Sequence, residues 1–175
     1  MIINLSEIMS VKGSTRHIQV PIELEYFTLE GQNYPFSHKE EVNLTISHIG
    51  ERKLELRGDV NVTLVIPCNR CLLDVITPLH LEFEKELDFS VSDSERIKEL
   101  DETNYISGYN LDVDLLVYDE ILVNFPMKVL CNEDCKGFCK VCGENLNTRS
   151  CACREADPDP RMSVIRDIFN NFKEV

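Results

Sequence analysis

Tryptophan is absent from this chain of 175 residues, glycine and proline number only seven each, and there are four histidines. So little glycine argues against a nucleotide site. No glycine-rich phosphate loop, nucleophile elbow or HExxH zinc-protease motif occurs, so catalysis on a small-molecule substrate has no visible machinery. No apolar run approaches the length of a membrane span. The opening Met1-Ile2-Ile3-Asn4-Leu5-Ser6-Glu7 lacks the basic start and apolar stretch of a secretory signal, so the expectation is a cytoplasmic protein without a membrane partner. Positive charge is the minority, with 18 Lys and Arg against 31 Asp and Glu and a net charge of −13. The acid is concentrated between Glu82 and Glu120, where 3 basic side chains face 13 acidic ones; from Ile121 onward the balance is even. Such a surface repels phosphate and disfavours broad nucleic-acid binding. Any RNA contact would come from the neutral tail, with Lys136, Lys140, Arg149 and Arg154 as candidates against the plainer reading of solvated surface charge.

What the chain has in quantity is cysteine. Six of its eight cysteines lie in the run Cys131, Cys135, Cys139, Cys142, Cys151 and Cys153, and the other two form Cys68-Asn69-Arg70-Cys71. Closely spaced thiolates converge on a soft metal, and eight fill two tetrahedral sites with none left over. Cys139-Lys140-Val141-Cys142-Gly143 reads as a zinc knuckle, with Gly143 free to take the left-handed backbone that follows the second ligand. Persistent disulfides are rare in the cytosol. A redox dithiol would open a helix in a βαβ unit, which neither pair does. An iron–sulfur cluster would use four ligands and leave four. Two structural zinc ions per chain are the expectation, ahead of iron or free thiols.

The favoured partition puts Cys139, Cys142, Cys151 and Cys153 on one ion and Cys68, Cys71, Cys131 and Cys135 on the other. The alternative is one local site from Cys131, Cys135, Cys139 and Cys142. The one-residue spacer in Cys151-Ala152-Cys153 counts against the favoured scheme. The histidines His17, His38, His48 and His80 adjoin no cysteine pair and are left as packing or surface residues.

The pattern predicts an α+β protein: an antiparallel β meander or partly closed barrel, a central helix, a zinc-knuckle tail and a C-terminal helix. Residues 1–126 would form the β-rich body and 127–175 the tail, together one compact unit. Val42, Leu44 and Ile46 alternate on one strand face, as do Val60, Val62, Leu64 and Ile66 on another. Gly58-Asp59 reads as a bulge or bend, the CNRC turn as a hairpin tip with Arg70 pointing outward, and Pro78 as an interruption. Residues 90–110 read as a long acidic loop with a helical turn near 95–100. Asp112 is the expected N-cap of a helix over 112–125, closed by Pro126, with Leu111, Leu115, Tyr118, Leu122 and Phe125 as its apolar stripe. Its acids Asp112 and Asp114 would serve the helix N-terminus, and Asp119 and Glu120 would face water. Asp157-Pro158-Asp159-Pro160 would start a last helix over 160–172.

These pieces together resemble the YceD-like family of large ribosomal RNA subunit accumulation proteins. Pro67-Cys68-Asn69-Arg70-Cys71-Leu72 matches its CxRCL signature. The helix from Asp114 to Pro126 with Asp119-Glu120 resembles its middle segment. The stretch from Cys131 to Asn147, with Cys151, Cys153 and Asp159-Pro160-Arg161 after it, resembles its cysteine-rich tail; Lys140 stands where the family usually has proline. The resemblance implies a bacterial cytoplasmic factor, found also in plastids, that supports accumulation of large-subunit ribosomal RNA. The implied partners are the pre-ribosomal large subunit, its RNA or a ribosomal protein, and no catalytic residue carries over. Two rivals stay open: an acidic adaptor or chaperone for a basic ribosomal protein without RNA contact, and a thiol redox protein.

Overall fold

A computed structural model describes residues 1–90 and 104–153. Contacts divide the chain into two units, Met1–Pro67 with Asp74–Val129 and Cys68–Leu73 with Leu130–Val175.

The first unit is mostly antiparallel β, a sheet curled into a half-barrel, with one long helix. In chain order its elements are β1 (Ile2–Asn4), α1 (Ser6–Met9), β2 (Thr15–Val20), β3 (Tyr26–Leu29), β4 (Gln32–Lys39), β5 (Val42–Gly50), β6 (Lys53–Pro67), β7 (Asp74–Asp88), β8 (Ile106–Ser107), β9 (Asn110–Asp112) and α2 (Val113–Asn124). The long strand β6 organises the sheet. One of its edges pairs with β7 from Lys53–Asp88 to Pro67–Asp74. The other pairs with β5 along its first half and β4 along its second. At the junction the Glu40 N–H donates to the Asn61 carbonyl at 3.0 Å, which keeps the ladder continuous. β2 extends the sheet beyond β5, and β3 beyond β4. The β3–β4 turn, Glu30-Gly31, has positive φ at both residues, the geometry that matches strand twist in a two-residue hairpin.

The period-two alternation puts Val42, Leu44, Ile46, Leu54, Leu56, Val60, Val62 and Leu64 on one buried face. Fully burying each such side chain contributes about 1.5–3 kcal/mol relative to exposure. Across that face, Phe27 packs on Tyr118 and Phe125 of the α2 region at centroid separations of 5.0 and 5.4 Å. The Tyr118 hydroxyl donates to the Thr28 carbonyl at 2.6 Å, so a polar handle is satisfied within the aromatic cluster.

Several sequence expectations need correction. No bulge falls at Gly58-Asp59: β6 runs through it in register with both neighbours. Glycine is required there because a Cβ would lie 2.4 Å from Phe83 Cζ and 2.9 Å from Leu44 Cδ2. Pro78 does not interrupt β7. It pairs with Thr63, and among the described residues β7 has a neighbour on one side only, so a residue without an N–H is tolerated. The expected loop 90–110 contains the β8–β9 hairpin, and β9 pairs with β1. Last, the buried face of α2 is Val113, Leu116, Val117, Glu120 and Ile121, while Leu115 and Leu122 are exposed. Leu111 is buried, but in β9.

The N-cap expectation holds: Asp112 accepts from the N–H groups of Asp114 and Leu115, and the helix stops before Pro126. Asp114 receives the N-terminal ammonium and the Glu23 N–H. Glu120 is 5% exposed rather than facing water, and Lys85 reaches it from the core face of β7 at 2.7 Å. The expected helical turn at 95–100 and the helix at 160–172 lie outside the described residues.

Candidate metal centre

In the second unit, the loop between β6 and β7 and residues 130–153 converge. Two groups of four sulfurs result, Cys68, Cys71, Cys131 and Cys135, and Cys139, Cys142, Cys151 and Cys153, each with all its sulfurs within 4.8 Å of one another. No histidine joins either group. Within the first, Cys68 and Cys135 sulfurs are 3.8 Å apart and those of Cys71 and Cys131 3.5 Å. A tetrahedron with metal–sulfur bonds of ~2.3 Å has edges of about 3.8 Å, so the cage has the size a four-thiolate zinc site requires.

The two CxxC segments form the same turn bond for bond. The Cys68 N–H donates to the Leu73 carbonyl and the Cys139 N–H to the Glu144 carbonyl, each at 2.8 Å. The Arg70 N–H points at the Cys68 sulfur at 3.5 Å and the Val141 N–H at the Cys139 sulfur at 3.4 Å. Leu72 N–H donates to the Cys68 carbonyl at 3.0 Å and Gly143 N–H to the Cys139 carbonyl at 2.8 Å. The residue after each second cysteine has left-handed backbone, φ +59° at Leu72 and +74° at Gly143. This turn aims two sulfurs to one side and one N–H at the first of them, which is the environment of a bound thiolate.

Side chains around the sulfurs complete the first group. The Arg70 guanidinium, expected to point outward, donates to the Cys135 carbonyl at 2.8 Å. The Asn147 amide donates to the Cys135 sulfur at 3.3 Å, and its oxygen accepts from the Lys136 N–H at 2.7 Å. Gly137, with φ +77°, lets Arg70 come close: a Cβ there would sit 2.9 Å from the Arg70 carbonyl oxygen. Asn147 and Leu72 have no role in the sequence beyond the family resemblance; only the parallel between the two turns marks the second.

Proton affinities within each cage diverge. Burial pushes the Cys68 thiol up, but the N–H groups of Arg70, Cys131 and Cys71 outweigh it and bring it down to about 6. The N–H groups of Cys142 and Val141 bring Cys139 down to about 6 as well. Cys131 is pushed up to about 12, first by its bond with Cys71 and then by burial. Cys153 is pushed up to about 12 by Cys142 and burial. Burial raises Cys135 as well, but the Asn147 amide and the Gly137 N–H outweigh it and lower it, so each cage combines thiols that ionise readily with others that hold their protons. A divalent cation would take the place of those protons.

Of the candidate contact residues, Lys136, Lys140 and Arg149 are exposed, and Arg149 lies 3.9 Å from Glu144. Arg154 falls outside the described residues. No helix among the described residues is long and apolar enough to cross a membrane.

The CxxC turn, the α2 segment and the tail cysteines all lie within residues 56–169, which match the sequence profile of the family described as large ribosomal RNA subunit accumulation protein YceD. The chain belongs to the YceD family. An uncharacterised protein of Bacillus subtilis, YlbN, is 25% identical over 127 residues, 72% of each chain. Two proteins named chloroplastic YCED homolog 1 are also similar. That of Arabidopsis thaliana is 24% identical over 173 residues, covering 84% of this chain and 54% of its own. That of Zea mays is 40% identical over 60 residues, covering 34% and 20%. The chain thus spans about half the Arabidopsis protein or less of such plant relatives. No solved structure matches. The YceD family is named for an accumulation factor, not an enzyme.

Proposed function

We propose that this protein is a non-enzymatic cytoplasmic factor supporting large-subunit ribosomal RNA accumulation and ribosome assembly, its tail held rigid by two structural zinc ions. Cys68, Cys71, Cys131 and Cys135 would hold one ion and Cys139, Cys142, Cys151 and Cys153 the other. The observation that carries the reading is the pair of four-sulfur cages built on one repeated turn, in a chain of the YceD family. Four thiolates around a divalent ion leave no open position for substrate, so the metal's contribution is folding energy rather than Lewis-acid chemistry. The β-rich body, residues 1–126, would be the scaffold and the tail, 127–175, the contact surface. Lys136, Lys140, Arg149 and Arg154 would meet the pre-ribosomal large subunit there.

Metal content of protein purified without chelator tests the first half. Two zinc ions per chain and thiols that resist alkylation support it; iron would overturn the choice of zinc, and metal-free reactive thiols would favour the redox alternative. Co-purification of ribosomal RNA across a salt series tests the second. RNA contact through the tail predicts binding that weakens with salt and falls when Lys136, Lys140 and Arg149 are changed together to alanine.

The acidic adaptor reading has its own support. On the solvent face of the sheet, Glu55, Asp59, Glu82, Glu84 and Glu86 outnumber Lys53 and Arg57, which pair with Glu55, Glu84 and Glu86. Such a face suits a basic ribosomal protein. Binding of that kind would survive ribonuclease treatment and the triple alanine change.

A further inference from the structure

We propose that the two cages differ in permanence: Cys68, Cys71, Cys131 and Cys135 hold their ion for the life of the fold, while Cys139, Cys142, Cys151 and Cys153 form an exchangeable zinc site. The inference rests on the two-ion reading above and adds to it a division of labour.

Access differs first. In the former cage Cys68 is 0%, Cys135 3% and Cys71 8% exposed. In the latter, Cys142 and Cys153 are exposed and Cys139 and Cys151 half-buried. A competing ligand must reach a thiolate to displace it; the first cage offers only the half-buried Cys131, whereas the second carries two exposed cysteines.

Anchoring differs too. The first cage joins segments separated by 60 or more residues in sequence, so opening it undoes a long closed loop. It is also braced from outside by Arg70 on the Cys135 carbonyl and by Asn147 on the Cys135 sulfur. Outer bonds of this kind are worth about ten to a hundred-fold in metal affinity. The second cage is local, and half of its ligands sit on Cys151-Ala152-Cys153, a segment with no helix or strand structure.

Emptying the second cage would leave the ground beneath it standing. Its connecting loop is fixed by the Leu146 N–H to the Gly137 carbonyl at 2.9 Å, by the Phe138–Asn145 bridge and by Asn147 on Cys135 and Lys136. None of these bonds passes through Cys151 or Cys153. Loss of zinc would therefore free the arm around Cys151–Cys153 alone. The surface next to Arg149 and Lys140 would then vary with zinc supply.

The test uses the full chain loaded with two equivalents of Zn2+, challenged with the chromogenic chelator 4-(2-pyridylazo)resorcinol, with iodoacetamide labelling followed by mass spectrometry. Two phases of one ion each are expected, the fast one about ten to a hundred times quicker. Label should appear during the fast phase on Cys139, Cys142, Cys151 and Cys153 and on the other four cysteines only in the slow phase. The double change Cys151→Ser/Cys153→Ser should keep the wild-type circular dichroism spectrum and one ion, and lack the fast phase. Release in a single phase, early label on Cys68, Cys71, Cys131 or Cys135, or a double variant that no longer folds would each overturn the proposal. A chain that takes up fewer than two Zn2+ ions fails at an earlier step, overturning the two-ion reading and this inference with it.

Discussion

Leu72 and Gly143 occupy the same place in two copies of one turn, each left-handed and each donating its N–H to the carbonyl of the turn's first cysteine. Glycine takes that conformation without strain, whereas a leucine is held there at a cost of about 1–2 kcal/mol. Leu72 recovers little of this by burial, being 65% exposed.

Leu72→Gly should therefore be neutral or stabilising by up to about 1 kcal/mol, strain relief being partly offset by the greater freedom of an unfolded glycine. Thermal unfolding of the metal-loaded protein measures it. A loss of stability would mean that the leucine side chain makes contacts worth more than the strain.

Gly137→Ala should act in the opposite direction. Its φ of +77° and a Cβ 2.9 Å from the Arg70 carbonyl oxygen leave no room for a side chain beside the first cage. The clash is with backbone, which moves only with the turn that carries Cys68 and Cys71. A loss of about 1–3 kcal/mol and faster metal release are expected, read by urea unfolding and chelator challenge. Wild-type values would show that the turn can shift without cost.

Removing the metal should invert the order of thiol reactivity that exposure alone suggests. Cys153 is exposed and Cys139 only half-buried. Yet at pH 7 a thiol drawn down to about 6 by the turn's own N–H groups is mostly thiolate, while Cys153, at the ordinary thiol value once its arm is free or above it while beside Cys142, is mostly protonated. In chelator-stripped protein Cys139 should alkylate ahead of Cys153, and lowering the pH from 8 to 5 should slow Cys139 as it passes through about 6. Faster labelling of Cys153 would contradict the local hydrogen bonding described for Cys139.

The strands and cysteine groups were legible because their signals are strong and local: clean alternation from Val42 to Ile46, close sulfur spacing, and a proline after the helix. The face of α2 was not, because apolar residues lie all round it. Leu115 and Leu122 are as hydrophobic as Leu116 and Ile121, and only the position of the sheet selects between them. Gly58 was misread for a related reason. A glycine inside a strand signals a bulge or a close approach, and the large partner, Phe83, is a cross-strand neighbour far off in sequence. The cages themselves join segments that spacing alone does not connect, so Asn147 and the inward turn of Arg70 become visible only in three dimensions.

Gly58→Ala tests that close approach. The added methyl would overlap the Phe83 ring and the Leu44 side chain, an overpacking that costs about 1–3 kcal/mol. Combining it with Phe83→Leu should recover part of the loss, because the smaller side chain vacates the overlap. Additive losses in denaturant midpoints would place the strain elsewhere.

An ion pair between Lys85 and Glu120 joins sheet and helix. Lys85 lies across from Leu56 on the core face of β7, and Glu120 is the one acid on the buried face of α2. Lys85→Met removes the charge that compensates a carboxylate with almost no access to water, so the remaining acid is left desolvated. The expected loss is about 1–3 kcal/mol, less than at a fully buried pair because the Lys85 side chain is 37% exposed. The double change Lys85→Met/Glu120→Leu removes both charges and fills the site with apolar volume, and it should regain most of that loss. If the single change proves neutral, water reaches Glu120 and the pair contributes nothing. If the double change is as unstable as the single one, the pair fixes the register of α2 on the sheet rather than merely cancelling a buried charge.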